Sequence, residues 1–153
     1  VGADPIIGVD VNPGRLELAQ RLGATHVIDS RLQDARSSLS GIVSQGLDYV
    51  LEITGDHEMH RLAVEVLKRR GTVALVATPG QSGALPGGRK AVSIIQGDAV
   101  PQRFIPLLID LYLKGLFPFD RLLTFYAFDE INRAVADFLK GKVIKPVLRI
   151  SRV

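Results

Sequence analysis

The sequence predicts an α/β protein built on a doubly wound parallel sheet. Three observations carry this. Short apolar runs of strand length recur from the first residues, segments with helically spaced apolar residues lie between them, and Gly, Pro, Asn and Asp punctuate the junctions. Strands buried on both faces read as continuous apolar runs, and the crossover helices between them cover the sheet. Residues 5–10 (PIIGVD) form the first run. Asn12-Pro13-Gly14 starts a helix in which Leu16, Leu18, Ala19 and Leu22 share helical spacing and which Gly23 stops. Residues 25–29 form a second strand, a more polar helix follows over 32–44, and 47–53 form a third strand ended by Thr54-Gly55-Asp56. The next helix carries Met59, Leu62, Ala63, Val66 and Leu67 and stops at Gly71. Residues 72–77 are a fourth, strongly apolar strand. Residues 79–90 read as a Gly- and Pro-rich loop, before a strand at 91–95 and a helix over 101–114 whose first turns hold Pro106. The remainder changes character: a strand at 122–128, a helix over 129–139 capped by Asp129, and a closing strand at 143–150.

Composition narrows the function. At 153 residues, 46% hydrophobic and 23% charged, the chain suits a single soluble domain with a real core. No apolar run reaches the roughly 18–20 residues of a membrane helix and no charged-then-apolar leader opens the chain, so a cytoplasmic location is the expectation. The absence of Cys excludes a disulfide framework and a thiolate metal site within these residues. The 19 Lys and Arg are scattered among 16 acids with no basic stripe, which argues against a nucleic-acid surface.

The chemistry-bearing constellation lies at the strand ends. In an open parallel sheet, ligands bind beyond the carboxyl ends of the strands. An acid at the end of a buried strand, followed by a polar turn and a helix, is the ribose-reading element of a Rossmann-like dinucleotide fold, and its charge repels a 2′-phosphate. Asp10 in Gly8-Val9-Asp10-Val11-Asn12 has this context and favours NAD over NADP, although an aspartate at a strand end also simply begins a turn. Arg15, in the first turn of the next helix, is within reach of the same ribose. Ile53-Thr54-Gly55 and Val76-Ala77-Thr78-Pro79 are two further strand ends with small or apolar residues that admit a flat ring; each also reads as an ordinary strand-to-loop junction.

Several segments carry a specific resemblance. Gly8–Asn12, 22–28 (LGATHVI), 47–55 (LDYVLEITG) and 71–76 (GTVALV) resemble the coenzyme domain of zinc-dependent medium-chain alcohol dehydrogenases. Phe104-Ile105-Pro106, Phe117-Pro118-Phe119-Asp120 and 125–132 (FYAFDEIN) are similar to the aryl-alcohol (benzyl alcohol) branch of that family. The resemblance implies a partial NAD-binding domain over residues 1–115 and a C-terminal return segment over 116–153. It implies that Asp10 holds the adenosine ribose with Val11 and Arg15 beside it. It places Ile53, Thr54 and Gly55 along the coenzyme, Val76 and Ala77 against the nicotinamide, Ile94 and Gln96 near the carboxamide, and Lys145 on the pyrophosphate. Lys145 reads equally as a solvated lysine on a closing strand. Asp56 stands where some relatives have a basic residue near the adenine, and helix capping is its simpler role.

The implied reaction is NAD-linked oxidation of a primary alcohol, aromatic if the branch holds, to an aldehyde in the parent protein. NAD(H), a small alcohol or aldehyde and a second copy of the chain are the implied partners. Residues 91–95 lie where relatives join subunits edge to edge, as homodimers or homotetramers. The phosphate-binding G-x-G-x-x-G, which normally precedes the ribose acid by about 20 residues, does not occur here. By the resemblance it is expected before Val1, together with the central first strand and the zinc ligands, which leaves two open sheet edges that invite pairing. No catalytic residue is assigned within the chain. His57-Glu58-Met59-His60 has i,i+3 rather than i,i+4 histidines and lacks a third ligand; His26 reads as a packed histidine, and Ser82 and Ser93 have no partner nearby in sequence. A zinc-independent quinone or enone reductase of the same superfamily and a non-enzymatic oligomerisation module are the alternatives.

Overall fold

A computed structural model describes residues 2–77 and 82–150. The chain divides into two units, Val1–Ala99 and Val100–Val153.

In the first unit each helix starts where a short polar side chain takes up amides that the helix itself leaves free. Strand β1 (Ile7–Asp10) leads to Asn12, whose Oδ1 accepts from the Gly14 and Arg15 amides at 2.9 and 3.3 Å and opens α1 (Pro13–Arg21). Strand β2 (His26–Asp29) precedes Asp34, whose carboxylate accepts from the Ser37 amide at 2.7 Å and opens α2 (Ala35–Ile42). Strand β3 (Leu47–Glu52) precedes Asp56, which accepts from the Glu58 and Met59 amides at 2.9 and 3.0 Å and opens α3 (His57–Glu65). Asp56 is thus the cap its sequence context suggests. Strands β4 (Leu67–Leu75), β5 (Gly83–Leu85) and β6 (Arg89–Ser93) complete the unit.

The strands form two sheets. β1 pairs in parallel with β2, and the other four run in the order β3-β4-β6-β5, parallel except for the β5–β6 pair. β1 and β3 each keep an edge unpaired among the described residues. The core of the larger sheet is Leu67, Val73, Leu75 and Ala91 with Ala63 of α3, and Val73 and Leu75 are wholly buried. A second cluster, Ile28, Ala35 and Leu39, gathers Ile7, Leu47, Leu62 and Val66, so it joins α2 to strands of both sheets and to α3.

Four details differ from the sequence expectation. α2 begins at Ala35 rather than 32, because Leu32 and Gln33 donate to the Asp29 carbonyl in a turn after β2. α3 ends at Glu65 and not at Gly71: Leu67 is drawn into the sheet, where it lies opposite Leu47 and is 1% exposed. The apolar spacing that suggests a longer helix is therefore met by a strand. The segment expected as a loop contains a hairpin, in which β5 and β6 are joined by a 3₁₀ turn (Pro86–Gly88) with Gly87 and Gly88 at φ of 77° and 74°. Ser82 Oγ accepts from the Ser93 amide at 2.8 Å beside it. Residues 78–81, which include Thr78 and Pro79, lie outside the described residues. Finally, β6 is flanked by β4 and β5, so among the described residues the free edge at this end of the sheet belongs to β5 and not to the strand expected at 91–95.

The second unit opens with α4 (Pro101–Leu113), which has proline at its first position. It closes with a right-sized βαβ unit: β7 (Leu123–Ala127) pairs in parallel with β8 (Lys145–Arg149), and α5 (Ile131–Leu139) links them. Asp129 does not cap α5. It lies in a 3₁₀ turn (Phe128–Glu130), and Glu130 instead accepts from the Ala127 amide at 3.0 Å. Buried Tyr126 donates its hydroxyl to Asp137 at 3.1 Å and ties β7 to α5.

Gly46 leaves no room for a side chain against neighbouring backbone. Its φ is 84°, and a Cβ there would lie 2.8 Å from both the Lys68 nitrogen and the Val66 oxygen. Gly46→Ala is expected to cost about 3 kcal/mol or more of stability, since a left-handed residue and a steric clash add. Urea unfolding of the variant beside the parent measures this; an unchanged midpoint would refute the packing described.

Candidate functional site

The polar end of β1 is built around Asp10. Its Oδ1 accepts from the Asn12 amide at 2.8 Å, and its Oδ2 lies 3.8 Å from Arg15 Nη1. Both side chains are partly exposed, at 30% for Asp10 and 41% for Arg15, so the pair itself contributes little to stability. The Arg15 Nε is buried and has no hydrogen-bond partner among the described residues. A buried donor without a partner costs free energy unless a ligand or water meets it. An acceptor carboxylate beside an unmet donor suits a group that carries both hydroxyls and acceptor oxygens, as a ribose does.

Asp29, opposite Asp10 in the β1–β2 register, has a different role. It grips Arg31 through both oxygens, Nε–Oδ1 at 3.1 Å and Nη2–Oδ2 at 2.8 Å, and also accepts the Arg31 amide at 3.0 Å. The Arg31 side chain and then its amide hold the Asp29 carboxyl below its ordinary range, against the opposing effect of burial. With its charge neutralised in this way, Asp29 leaves Asp10 as the acid at this end with oxygen capacity to spare.

The ends of the larger sheet are tied together by backbone. The Val76 amide donates to the Glu52 carbonyl at 2.9 Å, and the Ile94 amide donates to the Leu75 carbonyl at 2.8 Å. The ends of β3, β4 and β6 are therefore adjacent, and Ile53, Val76 and Ile94 lie just beyond them. Ile53 is 68% exposed and Val76 is 44% exposed, which leaves apolar surface at the strand ends. Ala77 and Thr54 are exposed, and Gly55 is half-buried at a φ of 73°. Gln96 opens a 3₁₀ turn (Gln96–Asp98) with its own φ at 55°, in the left-handed region. Val11 follows Asp10 and is exposed. Lys145 is at the start of β8 in the second unit, opposite Leu123, with an exposed side chain.

One residue at these ends was not singled out by sequence. Glu52 is the only buried charged residue among those described, at 4% exposure, and its carboxylate accepts from Thr54 and Gly55. The available signal was an acid closing an otherwise apolar strand two residues before a threonine.

No group of three or more His, Asp or Glu among the described residues is placed to hold a metal ion. The described residues do not fit a zinc site.

Parallel strands with crossover helices define a Rossmann-like α/β protein. Comparison with known proteins gives the family: residues 1–99 match the zinc-binding dehydrogenase family, and the chain belongs to it. It is 38% identical to geraniol dehydrogenase of Castellaniella defragrans over 97% of this chain and 42% of that protein. It is 31% identical to alcohol dehydrogenase-like 5 of Arabidopsis thaliana, over 99% of this chain and 42% of the relative. Among solved structures, benzyl alcohol dehydrogenase from Acinetobacter calcoaceticus superposes with a TM-score of 0.90 at 41% identity, over 98% of this chain and 44% of that one. The chain thus spans less than half the length of the relatives it matches.

The Asp29–Arg31 pair carries a pH signature. A carboxyl lowered in the folded state adds stability above its unfolded value, and that stability is lost as pH falls through the folded value. Asp29→Asn should therefore lower the thermal midpoint near neutral pH, and the gap to the parent should close as pH falls below about 4, the ordinary aspartate value, and through the lowered folded value. Melting curves across that range decide it; a gap that persists at the acid end contradicts the assignment.

Proposed function

We propose that this chain is the NAD-binding part of a zinc-dependent alcohol dehydrogenase that oxidises a primary alcohol, of aromatic type, to an aldehyde. The observation that carries the reading is the Asp10–Arg15 arrangement at the end of β1, with its carboxylate and its buried unmet Nε side by side. The likeness to a benzyl alcohol dehydrogenase supports the aromatic type, while the likeness to a geraniol dehydrogenase, named for an acyclic primary alcohol, supports only the primary alcohol.

Bound NAD would supply the acceptor for a hydride from the alcohol carbon, with the hydroxyl proton released to solvent or a base of the parent protein. The chain's own part is to bind and orient. Asp10 accepts hydrogen bonds from the adenosine ribose hydroxyls, and its charge disfavours a 2′-phosphate. Arg15 and Val11 flank the same ribose. Ile53, Thr54 and Gly55 border the coenzyme. Val76 and Ala77 offer apolar surface to the nicotinamide and keep water from it, and Ile94 and Gln96 serve the carboxamide. Lys145 takes the pyrophosphate. In this reading residues 1–115 serve the coenzyme and 116–153 return to the catalytic part of the parent protein, which works in the cytoplasm as a homodimer or homotetramer. The free edge of β5 supplies an edge for such an assembly.

Titration of the complete gene product with NADH and with NADPH, followed by coenzyme fluorescence, tests the reading. NADH should bind more tightly than NADPH. Asp10→Asn should weaken NADH by about tenfold or more, the scale of a lost charge-assisted hydrogen bond, and narrow the preference. Tighter binding of NADPH, or no effect of the substitution, would refute it.

A further inference from the structure

Glu52 ends β3 with its side chain folded forward over the turn that follows. Its Oε1 accepts from the Thr54 amide at 2.6 Å, from the Thr54 hydroxyl at 2.5 Å and from the Gly55 amide at 3.2 Å. Its Oε2 is also 3.2 Å from the Gly55 amide. No lysine or arginine among the described residues lies within ion-pair distance of it, so N–H and O–H donors of this turn meet the carboxylate. Such a buried acid is costly unless donors satisfy it, and here a single turn does so.

The turn is thereby determined in detail. The Thr54 hydroxyl gives its one proton to Glu52 and accepts from the Asp56 amide at 3.0 Å, while Asp56 in turn caps α3. Thr54 therefore has no proton left to donate to a ligand. What it offers is its methyl group and its backbone carbonyl, beside the exposed Ile53 side chain. Gly55, held at a φ of 73° by the same carboxylate, adds no side chain. The result is a largely apolar shelf with its amides turned inward, a surface for the face of a flat ring and not for an anion.

We propose that Glu52 is a positioning residue for the coenzyme: without touching it, the carboxylate draws the Thr54 and Gly55 amides inward and so fixes the shelf on which the coenzyme rests. This rests on the NAD-binding reading above. Without the carboxylate, both amides lose their partner, and the two peptide planes are free to rotate toward solvent. The same main chain also bonds to Val76, so Glu52 links the shelf to the neighbouring strand end.

Glu52→Gln keeps one acceptor oxygen, and Glu52→Leu keeps the bulk and removes every acceptor. Three readouts are needed on the complete gene product: NADH affinity by fluorescence, hydrogen exchange of the Thr54 and Gly55 amides against those of Val73 and Leu75, and thermal melting. Glu52→Gln should bind NADH within about threefold of the parent, and Glu52→Leu about tenfold or more weaker, since two or more hydrogen bonds hold the turn. In Glu52→Leu the Thr54 and Gly55 amides should exchange faster while Val73 and Leu75 stay protected. If Glu52→Leu does not fold, Thr54→Val removes the hydroxyl bond alone and should weaken NADH by several-fold with the same local exchange pattern.

Unchanged NADH affinity in Glu52→Leu, or in Thr54→Val where the first variant fails to fold, overturns the proposal. So does a loss that merely tracks the melting temperature, with core and turn amides exposed together. A parent protein that does not bind NADH fails the NAD-binding reading itself and takes the positioning role with it. A parent that binds while the variants bind equally well removes only the role of Glu52.

Discussion

Parallel pairing of β3, β4 and β6 is the constraint on which the remaining features depend. In a parallel sheet all the carboxyl ends lie on one side, so residues far apart in sequence meet there without any direct attraction. Burial of Leu67, Val73 and Leu75 at the centre holds the three strands in register. The Val76–Glu52 and Ile94–Leu75 backbone bonds then place Ile53, Val76 and Ile94 beside one another. A site read from any one of those strand ends would be an ordinary junction. It is the pairing that turns three junctions into a surface.

Onto this frame the turns add polarity in a controlled way. Asn12, Asp34 and Asp56 consume the free amides of three helix starts, and Glu52 consumes those of the turn after β3. Asp29 is occupied by Arg31. Asp10 remains with one oxygen bonded to a backbone amide and the other only loosely opposed by Arg15. The chemistry at the strand ends is thus selective by subtraction: most polar groups are satisfied internally, and Asp10, the Arg15 Nε and the Ser93 Oγ are left for a ligand.

Much of this was legible in the residues. The alternation of apolar runs and amphipathic segments located β1 to β4 and α1 to α5, because burial on two faces demands such runs and no competing pattern explains them. The Asp56 cap was legible because a carboxylate before a helix has few roles. The boundaries that shifted did so for tertiary reasons. Leu67 has a helical phase but is taken by the sheet opposite Leu47, and the β5–β6 hairpin depends on Gly87 and Gly88 at positive φ, in a stretch whose composition signals only a turn. Glu52 was hidden for a similar reason. Its partners are two and three residues on, yet only its burial shows that the carboxylate folds inward and does not reach solvent.

The most direct measurement of the central claim is a crystal structure of the complete gene product with NAD bound. The adenosine ribose is expected on Asp10 and Arg15, with the coenzyme running along the Ile53–Gly55 turn to Val76 and Ile94. NAD bound away from these strand ends, or a ribose held by other residues while Asp10 faces only its own turn, would contradict it.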